Sequence, residues 1–394
     1  MAMTSSAPVD TARRSLLLAG AAAPLLAGLP AAAQAGVAAS DRIVVNALGT
    51  LFSPHYRPAP DEKPPTIIVE TRPGMVDDAV IADAIRAGLS AVTVTIGHVA
   101  GEVDPFEHTI AEIGRWDAIV RRYAGKLTKV LSVEDIRRAA PAGRVGVIYG
   151  TQNSTMLGDR VERVDILADL GMRVLQLTYN TANAVGGGSM ADPAQGLTAF
   201  GRSVVARANA CRLMVDLSHS NERTCLDAIA QSTRPVTISH SGCRALGDSP
   251  RNKTDAELRQ LAERGGFFGV YFMPLLTPGR QAMADDVIAH IEHAVKICGE
   301  DHVGIGTDGG TTPVDLDLMR KAQREYVALR RRQGIAASGE SGEILFLVPD
   351  LYGVDQFRTL ADRLQRRGHP ASRIDKILGG NYLRVAREIW GEAA

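Results

Sequence analysis

The sequence predicts an α/β protein in which a parallel sheet closes into an eight-stranded (β/α)8 barrel of the TIM type. The first observation is a series of eight short apolar runs, rich in β-branched residues, with helical patterns between most of them. The second is that several runs are apolar without alternation, which is typical of strands buried on both faces. The alternative, an open doubly wound sheet, usually carries a glycine-rich phosphate loop after its first strand, and this sequence has none there.

The predicted elements follow one another at regular intervals. The strands are residues 42–48, 91–96, 144–149, 173–179, 213–219, 235–240, 266–272 and 302–308. The helices, recognised by apolar residues three and four positions apart, are residues 161–170, 198–210, 222–231, 254–264 and 282–298. Thr254 and Glu257 have the spacing of a capping box, which predicts a helix start at Thr254.

Three segments interrupt the repeat, each after the C-terminal end of a predicted strand. Residues 52–73 are a proline-rich excursion, and residues 180–195 contain a glycine run that predicts a flexible loop. Residues 311–349 are a charged insertion with a helical pattern at 316–332, and a helical block at 354–390 closes the chain. Because barrel enzymes place their active sites at the C-terminal strand ends, all three segments are expected to overhang that face.

The N-terminus has the features of an export signal rather than of a folded domain. A twin-arginine pair at 13–14 precedes a weakly apolar stretch at 18–29, which is too short and interrupted for a membrane span. A small-x-small pattern at 33–35 is what a signal peptidase needs. We therefore predict a twin-arginine signal peptide at 1–35, a single barrel domain at 36–394, and a periplasmic location.

Composition excludes several classes of partner. The 44 Lys and Arg residues balance 44 Asp and Glu, so a net charge of zero gives no basis for binding nucleic acid or an anionic membrane surface. An aromatic content of 5% argues against a surface that stacks on sugars or bases. The four cysteines are too irregularly spaced for a metal knuckle or a disulfide framework. A soluble, neutral α/β protein with an enzymatic function is therefore expected.

Polar side chains gather at the C-terminal ends of the predicted strands. His219, His240 and Asp308 end three different strands and are expected to face one central cleft. Imidazoles from separate strands, backed by a carboxylate, are a usual means of holding Zn²⁺ or a similar ion. Such an ion polarises a carbonyl group and lowers the pKa of a bound water. The alternative is that each histidine has only a structural role, in which it caps its strand by hydrogen bonds to the backbone.

The remaining histidines give weaker signals. His98 follows the second predicted strand closely and is a minor candidate for the cleft. His290 and His293 lie on a predicted helix, where a solvated or structural role is expected. His55 and His108 lie in loop or helix-start contexts that predict surface positions.

Five motifs occur in order along the chain. They are Val-Asp-Leu-Ser-His at 215–219, Arg-Pro-Val-Thr-Ile-Ser-His-Ser at 234–241, Ser-Pro-Arg-Asn at 249–252, His-Val-Gly-Ile-Gly-Thr-Asp at 302–308 and Leu-Gly-Gly-Asn-Tyr-Leu-Arg at 378–384. Together they resemble the renal-type, or membrane, dipeptidases, which are zinc peptidases with a barrel of the metallo-dependent hydrolase type. The resemblance runs from about residue 42 to residue 390.

The resemblance implies roles for individual residues. His219 and His240 match the two histidines that hold one zinc ion, and Asp308 matches the acidic residue that assists catalysis. Arg251 matches an arginine that grips the substrate carboxylate, and Asn252 beside it is expected at the substrate. The implied reaction is cleavage of the amide bond of a dipeptide or a dipeptide-like substrate through a metal-activated water.

The sequence also departs from the family pattern at the metal centre. Where the family has a His-x-Asp pair after the first strand, this chain has Leu-Gly-Thr at 48–50. The bridging glutamate is replaced by Gln152, and the histidine expected to polarise the substrate carbonyl is replaced by Tyr179, which becomes a candidate substrate contact. A single zinc ion on His219, His240 and Gln152 is therefore expected.

Three functions remain open at this level: a metal-dependent hydrolase, another barrel reaction such as isomerisation or elimination, and non-catalytic binding of a small molecule because the binuclear centre is degenerate. The expected partner is a small molecule or dipeptide, with no nucleic acid and no transmembrane span, and a homodimer is left open.

Overall fold

The computed structural model describes residues 42–57 and 67–391. The predicted signal peptide at 1–35 lies outside these residues, as does the middle of the proline-rich excursion. All residues in the described ranges belong to one compact unit. None of the helices within these ranges combines the length and the apolar character that crossing a bilayer requires.

Within the described ranges, nine parallel strands form one sheet. They are β1 (Val45–Gly49), β2 (Ala91–Thr95), β3 (Leu127–Lys129), β4 (Val145–Gly150), β5 (Met172–Gln176), β6 (Met214–Asp216), β7 (Thr237–Ser241), β8 (Phe267–Val270) and β9 (Val303–Ile305). The strand order is β1-β2-β4-β5-β6-β7-β8-β9, and each strand on this path matches one of the eight predicted runs. The eight-stranded barrel is confirmed.

The barrel nearly closes where β9 returns to β1. The backbone N–H of Asp308 donates to the carbonyl oxygen of Leu48 at 2.9 Å, and the N–H of Thr50 donates to that of Gly309 at 3.2 Å. β3 lies off the circular path and pairs only with the first half of β4. Sequence patterns missed this strand because three residues are too few to show a period.

Helices surround the barrel and cover one of its ends. They are α1 (Asp78–Arg86), α2 (Pro105–Arg122), α3 (Val133–Ala139), α4 (Arg163–Asp169), α5 (Ala199–Ala210), α6 (Glu222–Gln231), α7 (Asp255–Glu263), α8 (Ala284–Cys298), α9 (Leu316–Arg332), α10 (Gln356–Arg366), α11 (Ala371–Asp375) and α12 (Asn381–Trp390). The capping box that begins α7 is present, with Thr254 and Glu257 each accepting from the other's backbone N–H. The five helices predicted with bounds between 161 and 298 correspond to α4 through α8.

The C-terminal helix α12 closes the bottom of the barrel. Tyr382 and Trp390 pack with inward-facing residues of β1, β2, β4, β5, β6 and β8 in one buried cluster. The ring of Tyr382 meets Phe267 edge-on at 5.5 Å, and its hydroxyl lies 3.3 Å from the hydroxyl of Thr93. The last helix of the predicted helical block therefore fills the N-terminal end of the strands and leaves their C-terminal end for chemistry.

The charged insertion folds back on itself above that C-terminal end. Gln323 on α9 is buried, and its amide nitrogen donates to the carbonyl oxygens of Ser341 and Ile344. Its amide oxygen accepts from the backbone N–H of Phe346 at 2.7 Å. These bonds tie α9 to the returning chain, so that the insertion forms a roof over the barrel mouth.

The glycine run in the loop after β5 is packed rather than flexible. Gly187 and Gly188 are buried, and a Cβ added at Gly188 would overlap the carbonyl oxygen of Tyr179. A Cβ at Gly187 would overlap the side chain of Asn221. The expectation of a flexible loop was wrong, because these glycines permit close approach of two backbone segments rather than motion.

Candidate active site at the mouth of the barrel

A cleft of about 320 Å³ opens at the C-terminal ends of the strands. Its floor consists of residues that follow strands, and its roof and walls consist of residues from the insertion and neighbouring loops. The floor residues are Gln152, Tyr179, His219, Arg251, Tyr271 and Asp308. The other lining residues are Ile68, Val69, Val99, Met273, Leu275, Met319, Ala322, Gln323, Tyr326, Arg330, Glu340 and Phe346. The cleft thus joins a polar floor to a largely apolar roof.

The two predicted metal-binding histidines face each other. The Nε2 atoms of His219 and His240 lie 3.0 Å apart, and both rings are buried. The Nδ1 atom of His219 lies 2.7 Å from the amide oxygen of Asn180, which only accepts, so this Nδ1 carries a hydrogen. Its Nε2 lone pair is therefore directed at His240, whose own Nδ1 lies 2.8 Å from the hydroxyl of Ser239.

Both histidines are held in the neutral form. Burial lowers the pKa of His219 and His240 well below the ordinary value, and the nearby Arg251 guanidinium lowers both further. Neutral imidazoles whose second nitrogen is hydrogen-bonded are the form in which histidine binds a metal ion.

A buried carboxylate below the histidines orders their backbone. Asp216 accepts from the hydroxyl of Ser218 at 2.5 Å and from the backbone N–H of Ser239 at 3.2 Å. The Ser218 hydroxyl in turn accepts from the backbone N–H of His240 at 3.1 Å. The sequence shows Asp216 only as part of the motif at 215–219, and its bonds to Ser218 and Ser239 become visible in the structure.

Asp308 occupies the end of β9 in an unusual conformation. Its φ is 57°, in the left-handed region that Asp tolerates better than most residues. Among the described residues its carboxylate has no hydrogen-bond or ion-pair partner, and it lines the cleft. Removal of water by the surrounding protein raises the pKa of Asp308 to about 6, although Arg251 and Arg330 oppose the shift. A carboxylate with that pKa suits a general base near neutral pH.

Arg251 is a buried cation with unused donors. Its side chain is 3% exposed and donates to the backbone carbonyl of Ser218. Within the described ranges no carboxylate forms an ion pair with it, and it lines the cleft. A desolvated guanidinium with free N–H groups is suited to binding a substrate carboxylate.

Asn252 is placed away from the cleft. Its amide nitrogen donates to the carbonyl oxygens of Gly247 and Leu275 at 2.7 and 2.9 Å. Its amide oxygen accepts from the hydroxyl of Tyr271 at 2.6 Å. The side chain expected at the substrate instead holds Tyr271, whose ring lines the cleft. The motif at 249–252 predicts a substrate contact at Asn252, but it does not show which way the Asn252 side chain points.

The residues present fit one metal ion and do not fit two. The two Nε2 atoms lie 3.0 Å apart. Gln152 lines the same cleft as His219, and its amide nitrogen is bonded to the hydroxyl of Thr95 at 2.7 Å, which leaves its amide oxygen available. At the end of β1, Leu48 is buried and Thr50 accepts from a neighbouring backbone N–H, so this strand brings no ligand. In the described part of the chain, no three His, Cys, Asp or Glu residues are placed to share an ion.

Tyr179 joins the floor to the roof. Its ring stacks on His219 with centroids 4.1 Å apart, and its hydroxyl accepts from Nη1 of Arg330 at 2.8 Å. Burial raises the pKa of Tyr179 to about 12, so the phenol is neutral. Arg330 makes a two-pronged ion pair with Glu340, both N–O distances being 2.7 Å. Sequence reasoning missed Arg330 and Glu340, which look like surface charges in a charged segment.

Three other histidines have structural roles. His98 bonds to Thr155 and to a backbone carbonyl and does not line the cleft. His108 is buried and bonds to the carbonyl of Val69, so its predicted surface position was wrong. The reason is that α2 directs His108 towards the segment that follows the proline-rich excursion. His290 accepts from the backbone N–H of Cys243, a structural role as expected.

A family model described as membrane dipeptidase (peptidase family M19) matches residues 68–338. The chain belongs to the membrane dipeptidase family. A relative named Dipeptidase tcpJ, from Claviceps purpurea, is 27% identical over 290 residues, which are 73% of this chain and 61% of that protein. An uncharacterised protein from the pqqA 5′ region of Klebsiella pneumoniae is 26% identical over 298 residues, which are 73% of this chain and 98% of that one.

Solved structures share the same barrel. An amidohydrolase from Pseudomonas aeruginosa has a TM-score of 0.74 and 29% identity and covers 90% of this chain and 98% of its own. A metallo peptidase from Rhodobacter sphaeroides, bound to a phosphinate mimic of the dipeptide L-Ala-D-Ala, has a TM-score of 0.65 and 19% identity. It covers 79% of this chain and 90% of its own and shows a common fold. Family and fold both agree with the sequence prediction.

Proposed function

We propose that this protein is a dipeptidase-type hydrolase that cleaves the amide bond of a dipeptide or a dipeptide-like substrate with one zinc ion. The observation that carries the proposal is the meeting of three kinds of group in one cleft. Two neutral imidazoles, one of which lines the cleft, lie with their Nε2 atoms 3.0 Å apart. An unpaired carboxylate in the cleft has a pKa of about 6, and a buried guanidinium has free donors. Membership of the dipeptidase family and the names of relatives support the reaction class.

Each residue has a distinct task in this reaction. Arg251 binds the carboxylate of the substrate and so fixes the scissile amide above the floor. Asp308 accepts a proton from the attacking water and delivers it to the leaving amine nitrogen. His219 and His240 would hold the ion, with Gln152 as a neutral oxygen ligand, and the bound ion supplies polarisation of the carbonyl and a lower pKa for water.

The test is hydrolysis by the purified full-length mature protein. Dipeptides and N-acyl amino acids form the substrate panel, with Zn²⁺ or Mn²⁺ added, and release of free amino acid is measured. Asp308→Asn serves as the inactive variant, and Asp317→Asn, whose side chain is 91% exposed, is its matched control. Turnover that Asp308→Asn abolishes and Asp317→Asn retains supports the proposal. No turnover on any substrate with either metal refutes it.

A second candidate is a barrel that binds a small carboxylate without turnover. It is favoured by Leu48 and Thr50, which remove the ligands of the family's first metal site. Elemental analysis of protein purified without added metal separates the two functions. Near-stoichiometric zinc favours the hydrolase, whereas metal-free protein that binds a ligand tightly favours the binding protein.

We also propose that the chain is exported by the twin-arginine route and works in the periplasm as a single domain beginning near Gly36. The support is the arginine pair and the small-x-small pattern of the first 35 residues. N-terminal sequencing of the protein from the periplasm tests this. An intact Met1 terminus on a cytoplasmic species contradicts it.

A further inference from the structure

We propose that the preferred substrate is an N-acyl amino acid, whose uncharged acyl group lies against an apolar wall formed by Ile68, Val69 and Val99, the acyl wall. This preference rests on the proposed hydrolase function and narrows its substrates to compounds without a free α-amino group. A dipeptide carries such a group, which is mostly protonated at neutral pH because its pKa is about 7.7–8.0. The two kinds of substrate therefore differ by one positive charge beside the scissile amide.

The acyl wall lies across the barrel mouth from Arg251. Val99 follows β2, and Ile68 is joined to this segment by its backbone N–H, which donates to the carbonyl oxygen of Ala100 at 3.1 Å. Arg251 is held at the end of β7, where its carbonyl oxygen accepts from the hydroxyl of Ser241 at 2.7 Å. β2 and β7 are the second and the sixth of the eight strands in the circle, so they lie on opposite sides. A substrate whose carboxylate binds Arg251 therefore extends its acyl group towards the acyl wall.

The acyl wall presents hydrocarbon to the cleft. Its three side chains line the cleft and share one apolar cluster with Tyr179. The carbonyl oxygens beside them already accept hydrogen bonds. That of Val69 accepts from His108 at 2.8 Å, and that of Val99 accepts from the amide nitrogen of Asn153 at 3.0 Å. An ammonium group placed here would lose water without gaining a charged partner, whereas an apolar acyl chain is stabilised by leaving water.

The charged residues that line the cleft also disfavour an ammonium group. Within the described ranges they are Arg251, Asp308, Arg330 and Glu340. Both carboxylate oxygens of Glu340 are bonded to the guanidinium of Arg330 at 2.7 Å. Asp308 is the base of the proposed reaction, so its carboxylate faces the attacking water. The remaining charge is Arg251, which attracts a carboxylate and repels an ammonium group.

The roof continues the acyl wall with more apolar surface. Met319, Ala322 and Tyr326 of α9 line the cleft, and none of them is buried. Phe346 on the returning chain meets Tyr326 edge-on, with ring centroids 6.5 Å apart. The amide group of Gln323 is bonded to backbone groups of the insertion and is not free for substrate. An acyl chain of several carbons covers this apolar surface when it binds, so longer chains are expected to be better substrates.

The first test compares two substrates that differ only in the α-ammonium group. They are leucyl-alanine and 4-methylpentanoyl-alanine, because 4-methylpentanoic acid is leucine without its amine. The purified mature protein is assayed with added Zn²⁺, and release of alanine is measured. We expect kcat/KM to be at least about tenfold higher for 4-methylpentanoyl-alanine, because its acyl group brings no unpaired charge into the cleft. Equal values, or a preference for leucyl-alanine, overturn the inference.

The second test varies the acyl chain. From acetyl-alanine to butanoyl-alanine and hexanoyl-alanine, kcat/KM is expected to rise by about fourfold per methylene group. Succinyl-alanine is the matched control, because it has the chain of butanoyl-alanine with a carboxylate in place of the terminal methyl group. It is expected to be a poorer substrate than butanoyl-alanine. Equal kcat/KM values along the series show that the chain does not contact apolar surface, and they overturn the inference.

The third test places a charge on the acyl wall. Ile68→Asp adds a carboxylate at a partly buried position, and Ile68→Asn is its neutral control of the same shape. Relative to Ile68→Asn, we expect Ile68→Asp to shift the kcat/KM ratio at least about tenfold towards leucyl-alanine. Circular dichroism checks that both variants are folded. An equal ratio in the two variants overturns the placement of the acyl group, and the wild-type comparison decides the inference if Ile68→Asp does not fold.

The outcomes separate this inference from the hydrolase proposal. A preference for leucyl-alanine overturns the inference and leaves the hydrolase in place. If wild type turns over neither compound, calorimetry measures the binding of both to the same protein. Tighter binding of 4-methylpentanoyl-alanine then refutes the hydrolase and supports the acyl wall. Equal affinities, or no binding of either compound, overturn the acyl wall as well.

Discussion

The floor and the roof of the cleft are built in different ways. On the floor, His219, His240 and Asp308 follow buried strands, and the backbone of the barrel fixes their positions. In the roof, Gln323 and Arg330 hold the insertion together through side-chain bonds to carbonyl and carboxylate groups. Strand ends thus place the chemistry, while a side-chain network places the walls. We therefore expect changes in the roof to affect the fold less than changes in the floor.

The comparison of floor and roof predicts that the largest loss of activity follows a substitution of Asp308. Asp308→Asn is expected to lower kcat by about 10²–10⁴, because the amide keeps the shape but cannot accept a proton. Asn also tolerates the left-handed φ of this position. Steady-state kinetics and metal analysis check the prediction together. Unchanged activity, or metal content lost in parallel, contradicts it.

The second prediction concerns the bond that orients His219. Asn180→Ala removes the acceptor for Nδ1 of His219 and is expected to weaken metal binding by about 10–100-fold. His219→Ala is expected to abolish binding, and wild type to retain at most one ion per chain. Competition titration with a chelating dye measures the affinities. Two zinc equivalents retained by wild type through dialysis contradict the expected count.

A third prediction follows from the pKa of Asp308. The base must be ionised to accept a proton, and its pKa is raised to about 6. Below that pH, kcat/KM is expected to fall by about tenfold per pH unit, and above it the acidic limb is flat. A pH profile of kcat/KM checks this, with circular dichroism to confirm folding at each pH. If kcat/KM of Asp308→Asn still falls at low pH as it does in wild type, the fall is caused by a group other than Asp308.

The smallest effect is expected in the roof. Gln323→Ala removes three hydrogen bonds inside the insertion and is expected to lower its local stability by about 1–3 kcal/mol. Hydrogen exchange at 341–346 is expected to accelerate, while the β6 and β7 amides keep their protection. Gln365→Ala, on the exposed face of α10, is the control. Equal acceleration at β6 shows that floor and roof unfold together.

The floor was predictable from the sequence because parallel strands meet at one edge. That rule predicts that His219, His240 and Asp308 lie close together; in the structure His219 and Asp308 line the cleft, and His240 contacts His219. The metal and catalytic roles of these residues remain predictions. Their supporting carboxylate, Asp216, was within reach of the same reasoning, because it lies on the strand that ends at His219.

The roof was not predictable in the same way. Arg330 bonds to a residue 151 positions earlier, and a charged residue in a charged helix gives no sign of burial. The direction of the Asn252 side chain was missed for a related reason, since it is set by bonds to Leu275 and Tyr271, which lie about 20 positions later in the chain. Short-range patterns report periodicity, whereas these contacts depend on how two distant loops meet.

The packing of α12 has a consequence for biosynthesis. Tyr382 lies in the same buried cluster as Val45, so nearly the first and nearly the last described residues share one core. The bottom of the barrel therefore stays uncovered during synthesis until α12, which follows β9 along the chain, has emerged from the ribosome. Until then a nascent chain exposes the apolar bottom of the barrel, and this interval is when a chaperone has most to protect.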